Sequence, residues 1–472
     1  MGSFSGGTER QQFDFLKRQF LQEGELAFTS VLTADLVSKA LTTIKFSWND
    51  RIYTPLATLW IFLSQVMSTD HSCRAAVARW IAHRAARGLG TCSSDTGAYC
   101  QARKRLPEEF FSTTARQVGR SLDDQVDRKW LWKGRAVYMF DGTTVSMPDT
   151  PANQKAYPQL YNQRRGLGFP IARVCTIVSL ACGAVRDLAI CRYAGKGQGE
   201  LTMLRQLSGM FSQGDVLLTD ALMSTWREMY QLKQRGVDSV SRLNKALRSA
   251  NFRRGTRLGK DDHIVRWPKP WMRDLDRATY RTFPDCMEVR EVRVRVTQPG
   301  FRTKEIIVVT TILDPNEASK EDLANLFRSR WNHELDLRNI KVTLQMDVLR
   351  CKTPEMVRKE IWTHILANNL IRTVMAQAAS RHRIEPRTIS FKGTLQTLEA
   401  FQPLLATKDL STLAARKALY EQVLDAIANH RVADRPDRYE PRKRKRKPRT
   451  AAQMTKPRWE LKRLMRQGVT EI

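Results

Sequence analysis

Acidic residues are scarce in this chain of 472 residues: 48 Asp and Glu stand against 79 Lys and Arg, a formal net charge of +31. So large a surplus repels itself unless a polyanion offsets it, which makes nucleic acid the default partner. Long apolar runs are lacking too. The longest near the N-terminus, Leu56 to Leu63, is less than half a bilayer span, so no membrane role is expected. The opening Met1 to Gly6 has no basic region leading into an apolar run, and Gly6 stands where a myristoylation motif needs Ser or Thr. Neither a signal peptide nor a lipid anchor is expected. Cysteine occurs 8 times but never as Cys-x-x-Cys. The cysteines read as reduced packing residues, not as a zinc site.

What is present changes texture along the chain. Residues 1–128 read as a helical, basic domain suited to DNA. Phe13, Leu16, Phe20 and Leu21 fit one amphipathic helix, Leu56 to Met67 a buried one, and Cys73 to Arg87 a third. Gly88-Leu89-Gly90 breaks that third helix, and a basic segment runs from Asp95 to Pro107. From about residue 135 short apolar runs alternate with helical stretches, as in an α/β core. The predicted strands are Ala136 to Phe140, Ile171 to Ala181, Ala184 to Cys191, Asp215 to Thr219 and Val237 to Val240; Leu201 to Phe211 and Met223 to Arg235 are helical between them. Alternating valines at 292, 294 and 296 and the run Ile306 to Val309 predict a mostly β insertion. Helix is expected again from Asn316 to about Val342 and from Pro354 to about Ala379.

The expected organisation is a helical DNA-binding domain at 1–128, a first part of the α/β core at 129–244, a β-rich insertion at 245–315, the second part of the core at 316–380, a C-terminal helical region at 381–434 and a basic tail at 435–472. Between Arg435 and Arg466 the tail carries fourteen Lys or Arg against three acids, densest from Arg442 to Lys447. A run of that kind is normally disordered when free. Without that surplus the rest of the chain still carries +20.

Asp141 and Asp220 each directly follow a short apolar run. Strand ends in α/β sheets face the rim where sites form. On neighbouring strands both carboxylates would enter one crevice, and their repulsion invites a divalent cation. Mg²⁺ prefers oxygen ligands and takes one or two carboxylates with waters and phosphates. Two such ions about 4 Å apart serve phosphodiester transfer. Either Asp alone is equally an ordinary turn former. Phe327, Arg330, Glu334 and Lys341 fall on one helical stripe. That stripe places a carboxylate between two cations suited to phosphate oxygens. The plainer reading is a surface ion pair between Arg330 and Glu334. Asp149 reads as a loop residue, Asp215 begins the strand that Asp220 ends, and His333 and Asp336 face other sides of the helix. None of these four is expected as a primary ligand.

Taken together, Asp141-Gly142-Thr143, Leu217-Leu218-Thr219-Asp220 and Phe327-x2-Arg330-x3-Glu334-x6-Lys341 resemble the DDE transposases of bacterial insertion sequences, in the branch named after insertion sequence 4. The one departure is Phe327, where that family usually has Tyr. The resemblance spans roughly 130–375. It implies a ribonuclease-H-like catalytic core and cut-and-paste transposition of an insertion sequence. Asp141, Asp220 and Glu334 would be the catalytic ligands of two Mg²⁺ ions, with Mn²⁺ as a substitute. Arg330, Lys341 and the aromatic at 327 would meet DNA near the transposon end. An insertion-domain Trp can stabilise a flipped base in this branch. Trp267 and Trp271 lie among cations and are the candidates, against the alternative that they pack the insertion core. Double-stranded DNA ends and target, a homodimer on DNA, and a cytoplasmic, nucleoid-associated location complete what the resemblance implies. Two other readings stay open: a catalytically inactive, transposase-derived DNA-binding protein, and a metal-dependent nuclease on the same fold.

Overall fold

The computed structural model describes residues 32, 34–47, 51–86, 88–295, 305–405, 413–432 and 454–468. The helix expected around Phe13 to Leu21 and the densest basic run, Arg442 to Lys447, lie outside them. The described chain is mixed α/β, built on one nine-stranded sheet. Its strands are β1 (Val137–Ser146), β2 (Ile171–Ser179), β3 (Val185–Arg192), β4 (Val216–Thr219), β5 (Asp238–Arg242), β6 (Thr256–Gly259), β7 (Asp262–Pro268), β8 (Cys286–Arg295) and β9 (Glu305–Thr310), in spatial order β3-β2-β1-β4-β5-β9-β8-β7-β6. β1, β2 and β3 are antiparallel neighbours, whereas β4 and β5 run parallel to β1.

One expectation about the sheet changes. β1 does not stop at Asp141 but runs on to Ser146, because the antiparallel partner β2 pairs it along its whole length. The mostly β segment after β5 extends this same sheet. β9 pairs antiparallel with β5 and passes the ladder on to β8, β7 and β6. The unpaired edge of β5 would otherwise be an open template, and the insertion covers it.

The helices follow their apolar patterns. Near the N-terminus lie α1 (Ala34–Thr43), α2 (Pro55–Met67), α3 (Cys73–Ala86), α4 (Gly97–Arg105) and α5 (Glu108–Asp124). α2 is buried almost all round, starting with Thr54 accepting from Ala57 N and Pro55 in the first turn. Within the sheet region come α6 (Pro151–Ala156), α7 (Glu200–Leu207), α8 (Trp226–Gln234), α9 (Arg277–Thr282), α10 (Lys320–Ser329) and α11 (Trp331–Arg338), followed by a π turn at Asn339–Thr343. α12 (Pro354–His382) is the 29-residue spine. One continuous hydrophobic core joins side chains from α1, α2, α5, the sheet and α12. The Asn369 amide stitches that core, donating to Ala115 O and Val185 O and accepting from Val185 N. The boundary expected at 128/129 is therefore crossed by packing. α13 (Phe391–Leu405) and α14 (Leu413–Asn429) pack on α12, and α15 (Arg458–Arg466) lies within the expected tail. That last segment is helical and docked: Arg458 pairs with Asp149 at 3.0 Å and lies over Phe169 at 4.1 Å.

Among the described residues, no helix is long and apolar enough to cross a membrane.

Candidate active site

The parallel register of β1 and β4 sets the site. Val137 pairs with Val216 and Met139 with Leu218, so two residues further on Asp141 falls level with Asp220. β4 ends there while β1 continues, leaving Asp141 at the step where its neighbour stops. Asp220 caps the short 3₁₀ turn Ala221–Met223, accepting from Leu222 N at 2.9 Å. Asp141 accepts from its neighbour Gly142 N at 2.7 Å.

Burial pushes the Asp141 carboxyl up to about 6, and the nearby charges of Asp220 and Glu200 push the same way, against the Gly142 amide and Arg330. A divalent cation is the ordinary remedy for such a crowd of oxygen anions.

The helix of Glu334 approaches from the other side. α10 and α11 break at Arg330, whose guanidinium donates to Glu334 at 2.9 Å and stands 3.9 Å from Asp141. This bridge links Asp141 to Glu334, while Asp220 stands level with Asp141 on the neighbouring strand. Among the described residues no three or more His, Cys, Asp or Glu side chains converge on one chelating point. Glu334 is tied to the locus by a cation of the chain itself. The donor set is all oxygen, with two carboxylates on adjacent strand ends, and it fits a hard ion that keeps much of its water shell.

The back of α11 is locked. His333 is buried, 3.2 Å from Thr176 Oγ1, and burial pushes it down to about 4, so it sits neutral. Thr176 is the residue paired with Asp141 across β1 and β2. Asp336 is buried between Arg372, at 2.5 Å, and Arg387, at 2.7 Å. Arg387 also donates to Ser179 O and Leu180 O. His333 and Asp336 thus each have partners of their own within the fold. Asp149 is engaged by Arg458, and Asp215 lies at the opposite end of β4, accepting from Ser212 N.

Two expected DNA-contact residues, Phe327 and Trp267, are placed otherwise than the resemblance suggests. Phe327 turns inward and packs against the main core. Lys341 falls in the π turn, where regular helical steps no longer hold, so a helical wheel does not fix its direction relative to Arg330 and Glu334. Trp267 is 3% exposed and donates from Nε1 to Glu291 at 2.9 Å, so it packs the insertion core and offers no free ring face. Trp271 is 63% exposed, 5.0 Å from Tyr280, and Lys269 lies over that tyrosine at 4.4 Å. Of the two, Trp271 is the ring available for stacking.

One acid at the site is absent from all three motifs. Glu200, the first residue of α7, lies over Gly142; a Cβ built there would meet its Oε1 at 2.6 Å. Only the β2–β3 hairpin, which returns the chain to this edge, brings it there. Its sequence signal is slight: an acid in the first turn after Gly199.

Residues 132–370 match the family described as transposase DDE domain. The chain is 25% identical over 333 residues to the transposase InsG for insertion sequence element IS4 of Escherichia coli K12, covering 65% of this chain and 69% of that protein. Over 65 residues it is 37% identical to the transposase for insertion sequence element IS421 of Escherichia coli, 14% of this chain and 18% of the relative. Among solved structures, a piggyBac transposase synaptic complex with hairpin DNA aligns over 85% of this chain and 84% of that one, with 9% identity and a TM-score of 0.43.

Proposed function

We propose a function for a chain that belongs to the transposase DDE domain family: it is a DNA transposase, a metal-dependent enzyme that cleaves DNA and transfers the cut strand. The reaction runs at the edge where β1 and β4 carry their aspartates. Asp141, Asp220 and Glu334 would hold the metal. Two Mg²⁺ ions, or Mn²⁺ in their place, supply activation of the attacking oxygen and stabilisation of the leaving one. The observation that carries this assignment is the level placement of Asp141 and Asp220, with Arg330 tying Glu334 to them. The strand order β3-β2-β1-β4-β5, antiparallel in its first three members and parallel to β1 in the last two, supports a ribonuclease-H-like core.

The chain's own residues position the DNA. Arg330, once released from its carboxylates, offers a planar fork to a phosphate. Lys341 adds a second cation near the same helix. Trp271 is the candidate platform for a base turned out of the duplex. The substrate is double-stranded DNA at the element's ends and at the target, bound by a homodimer because two ends must be joined. The enzyme works in the cytoplasm, on the nucleoid.

The experiment is a cleavage and strand-transfer assay on the element's end DNA with Mg²⁺ or Mn²⁺, comparing wild type with Glu334→Ala. Cutting and joining by wild type, with binding kept and chemistry lost in the variant, is the expected result. Cutting without joining would favour the nuclease, and binding without chemistry in both the inactive DNA-binding protein.

A further inference from the structure

We infer that the loop between α6 and β2, residues 158–168, is a further DNA-holding surface, on which Tyr161, Arg164 and Arg165 grip the sugar-phosphate backbone of the duplex beside the bond to be cut; this rests on the transposase reading above. The loop is rooted on the rim that carries the aspartates. Its two ends are stitched to the end of β1: Met147 N donates to Pro170 O, while Ile171, the partner of Ser146, donates from N to Tyr157 O. Tyr157 and Met147 join the same core as Val137, Met139 and Val145. Strand alternation puts Asp141 on that face of β1 too. From Asp141 to Ser146 the strand advances roughly 17 Å. A duplex that runs along this edge from the aspartates passes the loop within one helical turn, about 10 base pairs.

The loop is exposed yet held in one shape by its own hydrogen bonds. The Gln159 side chain donates to Gln163 O at 3.1 Å and to Arg164 O at 3.0 Å, and accepts from Gly166 N at 2.9 Å and from Gly168 N at 3.2 Å. A Cβ at Gly168 would run into Gln163 and Gln159, and Gly166, at φ +83°, lies against Pro457 at the start of α15. Tyr161 is 88% exposed. Arg164 and Arg165 are exposed as well, and form no ion pair among the described residues. The arginines around them are engaged: Arg458 with Asp149, Arg192 with Ala156 O and Arg173 with Gln198 O. Two adjacent free guanidiniums repel in a chain already at +31, and a polyanion offsets them. Because the loop is braced beforehand, little ordering cost is left for binding. Its cations and its phenol suit phosphate oxygens, contacts that position a duplex without reading its sequence.

The test measures binding of the full-length protein to the element's end DNA, and to an unrelated duplex of the same length, by fluorescence anisotropy across a salt series. Arg164→Ala/Arg165→Ala is expected to weaken both complexes and to flatten the plot of log K against log salt by about 2 in slope, with an unchanged melting curve. Arg164→Lys/Arg165→Lys should keep the slope, since it keeps the charge. Ethylation of phosphates within about 10 base pairs of the cut should interfere with binding of the wild type and no longer with that of the alanine variant. An alanine variant with the wild-type slope and interference pattern removes the loop from the DNA surface and leaves the transposase reading in place. A flattened slope in a protein whose wild type neither cuts nor joins end DNA with Mg²⁺ keeps the loop as a DNA grip and overturns the transposase reading instead.

Discussion

Arg330 faces Asp141 at 3.9 Å across the gap between helix and sheet, while the same guanidinium holds Glu334. Without metal, the counter-charge at the site is a side chain of the protein. An incoming cation competes with that guanidinium for the same oxygens. Arg330→Ala should therefore bind Mn²⁺ several-fold more tightly in the absence of DNA, yet cleave end DNA at least about 10-fold more slowly, since phosphate stabilisation is lost. Isothermal titration against Mn²⁺ reads the first effect and single-turnover cleavage the second. Weaker Mn²⁺ binding in the variant would instead make Arg330 a strut that positions Glu334.

The metal-free protein carries a cost at Asp141. Its carboxyl is raised to about 6 by burial, then by Asp220 and Glu200, so the folded state keeps a proton that the unfolded chain gives up near its ordinary value of 3.8. Stability from that proton is present in acid and is lost as pH rises through about 6. Asp141→Asn should accordingly stabilise the metal-free protein at pH 8 by about 2 kcal/mol, and by little at pH 4. Urea unfolding at the two pH values measures the difference; an equal effect at both would mean that charge is not the cause.

Behind Glu334, the clamp of Asp336 between Arg372 and Arg387 is buried. Asp336→Ala leaves two guanidiniums without a counter-ion and should cost about 3 kcal/mol or more. Chemical denaturation reads the loss. A change under about 1 kcal/mol would mean that water replaces the carboxylate.

The two insertion tryptophans should separate cleanly. Trp267→Ala empties a core position and removes a partner of Glu291, for a loss of about 3 kcal/mol or more. Trp271→Ala should leave the melting curve unchanged and lower end cleavage, with the defect relieved when the flanking base is already unpaired. A Trp271→Ala enzyme with wild-type cleavage on paired DNA would remove it from the DNA surface.

Removing residues 435–472 should weaken DNA binding at every sequence and flatten its salt dependence, because phosphate contacts release counterions. An unchanged slope would show that the tail makes none. Arg458→Ala, which undocks α15 from Asp149 and Phe169, should leave most of that slope in place.

The sheet was largely readable in the sequence because buried strands announce themselves as apolar runs, and Asp141 and Asp220 were placed by that pattern, whereas Glu334 was placed by a helical stripe. The continuation of β1 past Asp141 was not readable, since Gly142-Thr143-Thr144 has no apolar periodicity and is held by pairing with β2. The direction of Lys341 was not readable, because a helical wheel assumes a constant step and the π turn breaks it. Phe327 carries an aromatic in the expected place, but the direction it faces is decided by the core it packs on. Trp267 and Trp271 are equivalent by composition; only the buried carboxylate of Glu291 tells them apart. Glu200 was invisible because its proximity to Gly142 is created by a hairpin, not by spacing.

The sheet itself has a mechanical consequence. Since β9 is bonded to β5, and β5 to β4, the insertion cannot swing as a loosely tethered lobe. If a bent or unstacked DNA end pulls on Trp271, the load would pass through consecutive ladders to the strand that precedes Asp220. The insertion and the strand ends at Asp141 and Asp220 are parts of one continuous plate, so that a displacement at one edge would be felt at the other.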